Sequence, residues 1–532
     1  MVQLAAAARP GASRVLRAPL FAPIRTRSSQ PPAVALRSLP ALARHCSPIP
    51  DTPQPSVNHT NTIRKTGARI SPLAFGAYRI APNNATHTAA LHAALAAGIN
   101  VIDTAGHFGD GDSESVIGQL LASGKVDRVD LFLISKAGFV TPGIAEQLDS
   151  SAGLDAPPGG SLGPVGHSLG VEFLKSQLDV SLRRMQTDAI DLFMVNCPER
   201  LLRTMNSTQL EYRLTQAYEY LANETARGRI RGFGVTTTSL DWAFLPKSAR
   251  SFAEEFHAVQ VPANLCERQF LAPEFLQRIK EERLALFTHR LINAVTPRGV
   301  QRLASTPDPQ HDLPEDLVDR LFNDFQALEQ LEEALSQFVN DSVILTKFVW
   351  SGVLAENLER IVANDVAARY YLDQQVAPVI RADLAELKEL ATHSTAESDD
   401  MDADDRAAVE QWCDEYDQLT TQIRARIAAL AHAHAVERHR AARDLLALTF
   451  PDARDAELEQ AALALVRAAR RDVPGSVLVG MRRPEYVESM VAASRIVDDD
   501  PELDRSVWDQ VESSGVLDHW MDAGAGMTGS EA

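Results

Sequence analysis

From residue 62 onward, short apolar runs alternate with longer stretches of helical periodicity. Residues 62–80 hold a Thr-Gly turn between short alternating runs, then an apolar run at 73–76. This predicts a small hairpin leading into a first strand. The stretch 86–98, THTAALHAALAAG, predicts a helix stopped by Gly98 as its C-terminal glycine. Further apolar runs follow at 99–102 (closing on Asp103), 129–134, 189–195, 230–235, 258–261, 284–287 and 476–479. Helical patterns occupy most of the gaps, at 172–184, 211–227 and 272–281 among others. Eight short strands alternating with helices close most easily as a parallel (β/α)8 barrel of the TIM type. A doubly wound sheet is the alternative, but no GxGxxG follows an early strand.

The alternation is interrupted before the eighth strand. Residues 296–454 predict an all-helical insertion, with periodic stretches at 315–339, 354–371, 375–392 and 405–448, and a further helix at 455–470 leading back to the barrel. The acidic run 397–405, ESDDMDADD, reads as a solvated linker in preference to a cation site. The expected organisation is therefore a barrel over 62–295, the insertion, the end of the barrel over 455–500, and an acidic tail over 501–532 that frays after Val507.

Composition adds three constraints. No run of 18 apolar residues exists, which disfavours membrane insertion. The four cysteines (Cys46, Cys197, Cys266, Cys413) are scattered with no CxxC, a pattern that fits neither a disulfide framework nor a zinc site. Residues 1–50 carry seven arginines and no acid, and are rich in Ala, Ser and Pro. That composition reads as a mitochondrial transit peptide with delivery to the matrix, because such a segment is drawn inward by the membrane potential. A plastid peptide, or a basic disordered arm on a cytoplasmic protein, would look alike. Without those arginines the rest of the chain carries about −26, which disfavours a nucleic-acid partner.

In a parallel barrel the functional groups sit where strands end. Those positions are Asp103, Lys136, Asn196, Thr236, Gln260, His289 and Gly480. Here the sequence resembles the aldo-keto reductase family. The segment INVIDTAGHFGDGDSESVIGQLL at 99–121 is similar to a signature in which a strand ends in Asp-Thr-Ala and a tyrosine follows five residues after the Asp. The spacing from Asp103 to Ser113-Glu114 holds without a gap, so the tyrosine's position is Phe108. LFLISKAG at 131–138 resembles the strand bearing the family's lysine, here Lys136. DAIDLFMVNCPER at 188–200 resembles a second signature with Asn196 in place of histidine.

The resemblance implies a cofactor as well, NADP(H). IRGFGVTT at 230–237 and VQVPANL at 259–265 resemble the segments that grip the nicotinamide carboxamide, here Thr236, Thr237 and Gln260. His289 falls where an aromatic residue stacks on nicotinamide. PGSVLVGMRRPEYVESM at 474–490 resembles the phosphate-binding loop, placing Gly480, Met481, Arg482 and Arg483 near the phosphates at a helix N-terminus. An arginine pairing with a 2′-phosphate favours NADPH. The family's Glu-Asn pair near the adenine is Ser489 and Met490 in this chain.

The family reduces carbonyls by hydride transfer, with the tyrosine phenol donating a proton. A phenol of pKa about 10 needs a neighbouring cation to act at neutral pH, and a carboxylate to hold that cation. Lys136 and Asp103 would be that pair. Phe108 keeps the ring and removes the acid. His107, adjacent on the same loop, is either a replacement acid or an ordinary surface histidine. Three readings therefore stand: a reductase of small aldehydes or ketones, a weakened or altered oxidoreductase, and a pseudoenzyme that binds NADP(H) and meets a protein partner through its helical insertion.

Overall fold

A computed structural model describes residues 61–148, 153–296, 299–304, 316–339, 341–393, 403–450, 455–500, 503–515 and 517. The arginine-rich segment 1–50, most of the acidic run at 397–405, and residues 518–532 lie outside the described residues.

Eight parallel strands close into a barrel: β1 (Leu73–Gly76), β2 (Val101–Asp103), β3 (Phe132–Ala137), β4 (Leu192–Asn196), β5 (Phe233–Thr236), β6 (Phe256–Pro262), β7 (Ala285–His289) and β8 (Val477–Val479). Each strand pairs with the next in sequence and β8 returns to β1, with Val477 opposite Leu73. The strands are buried almost throughout, as expected where helices cover the outside of a parallel sheet. Several begin two or three residues later than their apolar runs suggest. Before β3 the chain makes a tight turn at Arg128–Asp130, and Val129 is 77% exposed. Arg128 fixes that turn by donating to the carbonyls of Leu131 and Ala189 and to Asp191.

Inside the barrel, Ala74, Val101, Phe132, Ile134, Leu192, Met194, Ala258, Ala285, Phe287 and Leu478 form one buried cluster. Ile63 and Ile70, from the N-terminal hairpin (Asn61–Thr62 paired with Arg69–Ile70), belong to the same cluster and close the end opposite the strand C-termini.

The outer layer comprises α1 (Ala85–Ala96), α2 (Asp112–Ala122), α3 (Val171–Met185), α4 (Ser207–Ala226) and α5 (Pro273–Glu281). Gly98 at φ 86° turns the chain out of α1, a left-handed step that glycine takes at low cost. The insertion supplies α6 (Leu317–Leu335), a set of short turns from Ser342 to Val376, α7 (Ala377–His393) and α8 (Ala403–Leu446). The helical pattern over 354–371 resolves into short helices at Trp350–Glu356, Leu358–Val362 and Asp365–Tyr370. At 44 residues α8 is about 66 Å long. These helices bury a core of their own around Leu328, Leu335, Trp412, Tyr416 and Ile423. There the Trp412 and Tyr416 rings stack at 4.8 Å, and Tyr416 donates to the Glu332 carboxylate at 2.8 Å. No described helix is long and apolar enough to cross a membrane.

After the insertion, α9 (Leu458–Ala469), α10 (Pro484–Asp499) and α11 (Arg505–Ser513) pack with the barrel's outer core. The last of these runs into the stretch expected to fray. Its acidic composition conceals Leu503, Trp508 and Val511, which are fully buried, and Arg505 binds the Leu271 carbonyl. Two hairpins also escape the hydrophobic pattern: Phe139–Val140 with Gly166–His167, and Asn293–Thr296 with Gly299–Arg302. The second links barrel to insertion. Glu267 accepts from the Val295 amide, while His439 bonds the Arg302 carbonyl.

Candidate active site

Strand register brings the candidate side chains to one end of the barrel. Asp103 closes β2 opposite Ile134, Lys136 stands opposite Met194, and Asn196 and Gln260 both pair with Thr236. Four of these groups form a continuous chain. Lys136 Nζ donates to Asp103 Oδ1 at 2.6 Å and to the Thr104 carbonyl at 2.8 Å. Gln260 Nε2 donates to the same Asp103 oxygen at 3.2 Å, and Thr236 Oγ1 donates to Gln260 Oε1 at 2.8 Å. All four residues are at least nine-tenths buried. Burial raises the Asp103 carboxyl above the usual carboxylate range and lowers the Lys136 ammonium, and their mutual attraction opposes both shifts.

Phe108 lies against this pair, with Lys136 Nζ 5.2 Å from its ring centroid. The loop that carries it is unusual. Gly109, Asp110 and Gly111 all adopt left-handed backbone, at φ 59°, 51° and 101°. A Cβ on Gly111 would stand 2.1 Å from the Arg184 guanidinium carbon and displace that side chain, and its φ of 101° favours glycine. Other signature residues hold the loop rather than facing the mouth. Ser113 bonds the Thr104 hydroxyl and the Ala77 carbonyl, while Glu114 accepts from Ser135 and pairs with Arg184.

Aromatic rings continue from Phe108 around the mouth. Tyr78 meets Phe108 edge-on at 4.9 Å, and His107 meets it at 4.7 Å. Phe139 then lies 4.8 Å from His107 and 5.5 Å from His167. Tyr78, Phe139 and His167 belong to no motif. Phe139 and His167 come from the short hairpin, which has no periodic signal; Tyr78 lies just past β1 and was identifiable only by proximity to a strand end. His167 Nε2 bonds the Asn196 carbonyl at 2.7 Å, which fixes the end of β4. The Asn196 side chain itself makes no hydrogen bond to a described residue.

His107 is partly buried among these rings, and burial, with Lys136 and His167 nearby, pulls its pKa down to about 3. The imidazole is therefore neutral at physiological pH and lacks the imidazolium proton that a general acid would give. His167 and His257 are likewise pulled down to about 4, chiefly by burial. Their pKa values are depressed in the folded state. The stability tied to keeping them neutral is thus complete above pH 6.5 and is lost as pH falls towards 4, where only the unfolded chain takes up protons. Denaturant unfolding should show a loss of about 1.4 kcal/mol per pH unit for each histidine between pH 6 and 5. His167→Asn should flatten that slope; a slope identical in wild type and variant would contradict the assignment.

The remaining candidates fall into two groups. Thr237 donates to Glu199, which also binds the Thr238 amide, so it braces the β4 and β5 ends. His289 ends β7 with its Nε2 sealed from solvent and without a hydrogen-bond partner among the described residues, and burial holds its pKa well below the ordinary value. Beyond β8, Gly480, Arg482 and Arg483 are exposed ahead of α10, while Met481 is buried. Met490 is buried in the core, and Ser489 accepts from Gln460.

These groups fit a nicotinamide dinucleotide in part. A cradle stands at Gly480, where a Cβ would find only the Gly76 carbonyl, 3.9 Å away. Two exposed arginines precede a helix of 16 residues, a setting that favours phosphate. The orphaned His289 nitrogen offers a polar group at a strand end. Gln260 is less available, since its oxygen and one amide hydrogen are already engaged.

The sequence profile of the aldo/keto reductase family matches residues 72–380. The chain is 29% identical over 185 residues to 6-dehydroglucose reductase of Novosphingobium aromaticivorans, a match covering 33% of this chain and 50% of that protein. It is 27% identical over 215 residues to the aldo-keto reductase YhdN of Bacillus subtilis, covering 39% and 54%. The chain thus spans about half the length of the curated relatives it matches. Among solved structures it is similar to a glycerol dehydrogenase of Gluconobacter oxydans, with 17% identity, a TM-score of 0.41, and 83% and 94% of the two chains covered. An aldo/keto reductase of Klebsiella pneumoniae in complex with NADP and acetate gives 16%, 0.39, and 84% and 95%.

Proposed function

Because this chain belongs to the aldo/keto reductase family, whose profile matches more than half of it, we propose that it is an NADP(H)-dependent oxidoreductase interconverting small carbonyls and alcohols. The observation that carries this reading is the buried Lys136–Asp103 pair at 2.6 Å, held at the C-terminal mouth of the barrel beside the Phe108 ring. A lysine ammonium held by a carboxylate beside the Phe108 ring stabilises negative charge developing on a carbonyl oxygen. Asn196, with an uncommitted amide at the end of β4, would hold that oxygen in place. NADP(H), when bound, supplies or accepts the hydride. His289 and Gln260 would lie against its nicotinamide and carboxamide, with Thr236 and Thr237 behind them. Gly480 and Met481 would line the diphosphate path, and Arg482 and Arg483 would meet the adenosine phosphate. The arginine-rich segment 1–50 supports a mitochondrial matrix address.

The cofactor half of this reading is tested by titrating the protein with NADPH and NADH and following cofactor fluorescence. Saturable binding is expected for both, tighter for NADPH. Arg482→Ala with Arg483→Ala should weaken NADPH by about 10-fold or more while changing NADH little, since a charge-assisted contact to the 2′-phosphate is worth about 1.5–3 kcal/mol. Equal losses for the two cofactors would contradict the role given to these arginines.

A second reading is favoured by Phe108 itself: a protein that binds NADP(H) without turnover and presents its helical insertion, with its separate core, to a protein partner. Cofactor binding without oxidation of NADPH by any carbonyl would select it.

A further inference from the structure

Phe108 leaves open the source of the proton that a reduced carbonyl needs. His107 is neutral, and Lys136 is committed to Asp103 and to the Thr104 carbonyl. Asn196 carries an amide, which is no acid. Among the described residues, the tyrosine in ring contact with Phe108 is Tyr78. Tyr78 lies two residues beyond β1, in edge-to-face contact with the Phe108 ring, with centroids 4.9 Å apart and planes at 78°. It is 56% exposed, and its hydroxyl makes no hydrogen bond to a described residue. The Arg79 guanidinium lies 5.3 Å from its ring centroid.

We propose that Tyr78 is the proton donor of this site, a tyrosine displaced from the second strand's loop to the first. The inference rests on the carbonyl-reductase reading given above. In the reductive direction the carbonyl carbon receives a hydride, with its electron pair, from NADPH. The Tyr78 O–H bond breaks, a new O–H bond forms on the former carbonyl oxygen, and the phenolate regains a proton from the solvent around it. The products are an alcohol and NADP+. The oxidative direction reverses each step, with water first removing the Tyr78 proton. The Tyr78 ring and the Lys136 ammonium lie 4.9 and 5.2 Å from the centroid of the Phe108 ring, so a substrate carbonyl over that ring is near both groups.

Two variants and their combination test this. Tyr78→Phe should lower kcat by about 10²-fold, the usual contribution of a general acid, with NADPH affinity unchanged. In a Phe108→Tyr background, where a second phenol stands beside Lys136, the same change should cost less than about 10-fold, because only one donor is needed per turnover. A readout independent of turnover is the 13C resonance of the Tyr78 hydroxyl-bearing carbon, identified by its loss in Tyr78→Phe. It should shift when benzamide, a non-reducible carbonyl ligand, is added to the NADP+-saturated protein. Full activity in Tyr78→Phe, or equal losses in the two backgrounds, overturns the proposal and leaves the reductase reading standing. NADPH binding with no turnover in wild type overturns both the proposal and the reductase reading but spares the cofactor site. Failure to bind NADPH removes all three.

Discussion

Phe108→Tyr is expected to raise carbonyl turnover by about 10²-fold over wild type, with NADPH affinity unchanged. The expectation follows from how tightly the ring is placed. Tyr78 and His107 pack on it edge-on, and the left-handed run at Gly109, Asp110 and Gly111 fixes the loop that presents it. The Lys136 ammonium is 5.2 Å from the ring centroid, so a hydroxyl on the ring falls beside a cation that favours its ionised form. General acid catalysis contributes about 10² to 10⁴-fold, and an added oxyanion contact about 10² to 10³-fold. These effects overlap, and Tyr78 already supplies part of the first, so the lower end is the expected gain. Steady-state oxidation of NADPH by an aldehyde, compared between the two proteins, measures it. Turnover no higher in the variant would mean that the proton is not what limits this site.

Lys136→Met should have the largest effect on stability. It removes the cation and leaves the Asp103 carboxylate buried, with only Gln260 donating to it among the described side chains. Breaking one partner of a buried pair costs about 3–5 kcal/mol, because the other charge keeps its desolvation penalty. The loss should shrink on acidification, since Asp103, already raised by burial, can then protonate and become neutral. Denaturant midpoints at pH 7 and pH 5 for wild type and variant measure both parts. A penalty that is equally large at both pH values would contradict the role assigned to the orphaned carboxylate. Turnover should vanish as well, since among the described residues Lys136 is the ammonium that lies against the Phe108 ring.

Much of this site is legible in the sequence for a simple physical reason. Barrel strands are short apolar runs, and whatever polar residue ends one is carried to the same mouth. Asp103, Lys136, Asn196, Thr236 and Gln260 can be placed that way from the sequence alone. Their partnerships cannot. That Gln260 donates to Asp103, or that Thr237 is engaged by Glu199, depends on side-chain directions across three strands, and no spacing encodes it. Tyr78 lies in a two-residue step past β1, too brief for any pattern. His167 reaches the site through a two-residue hairpin strand, where alternation has no length to show itself. The reverse failure occurs at α11, where the acidic composition of the tail masks a helix anchored by Trp508 and Val511. The insertion is intermediate. Its helical character follows from periodicity, but the breaks between Trp350 and Val376 do not, because turns closed by Asn357 and Asn364 interrupt an otherwise continuous pattern.

On the reductase reading, a barrel lacking the phenol in register at position 108 still reduces carbonyls with NADPH. A single-turnover experiment on the full chain decides this, mixing enzyme-bound NADPH with saturating aldehyde and following absorbance at the reduced nicotinamide band. A slow exponential loss of that absorbance is expected, stoichiometric with enzyme and accompanied by alcohol, and faster in Phe108→Tyr. Bound NADPH that stays reduced in wild type across a broad panel of aldehydes and ketones would contradict it.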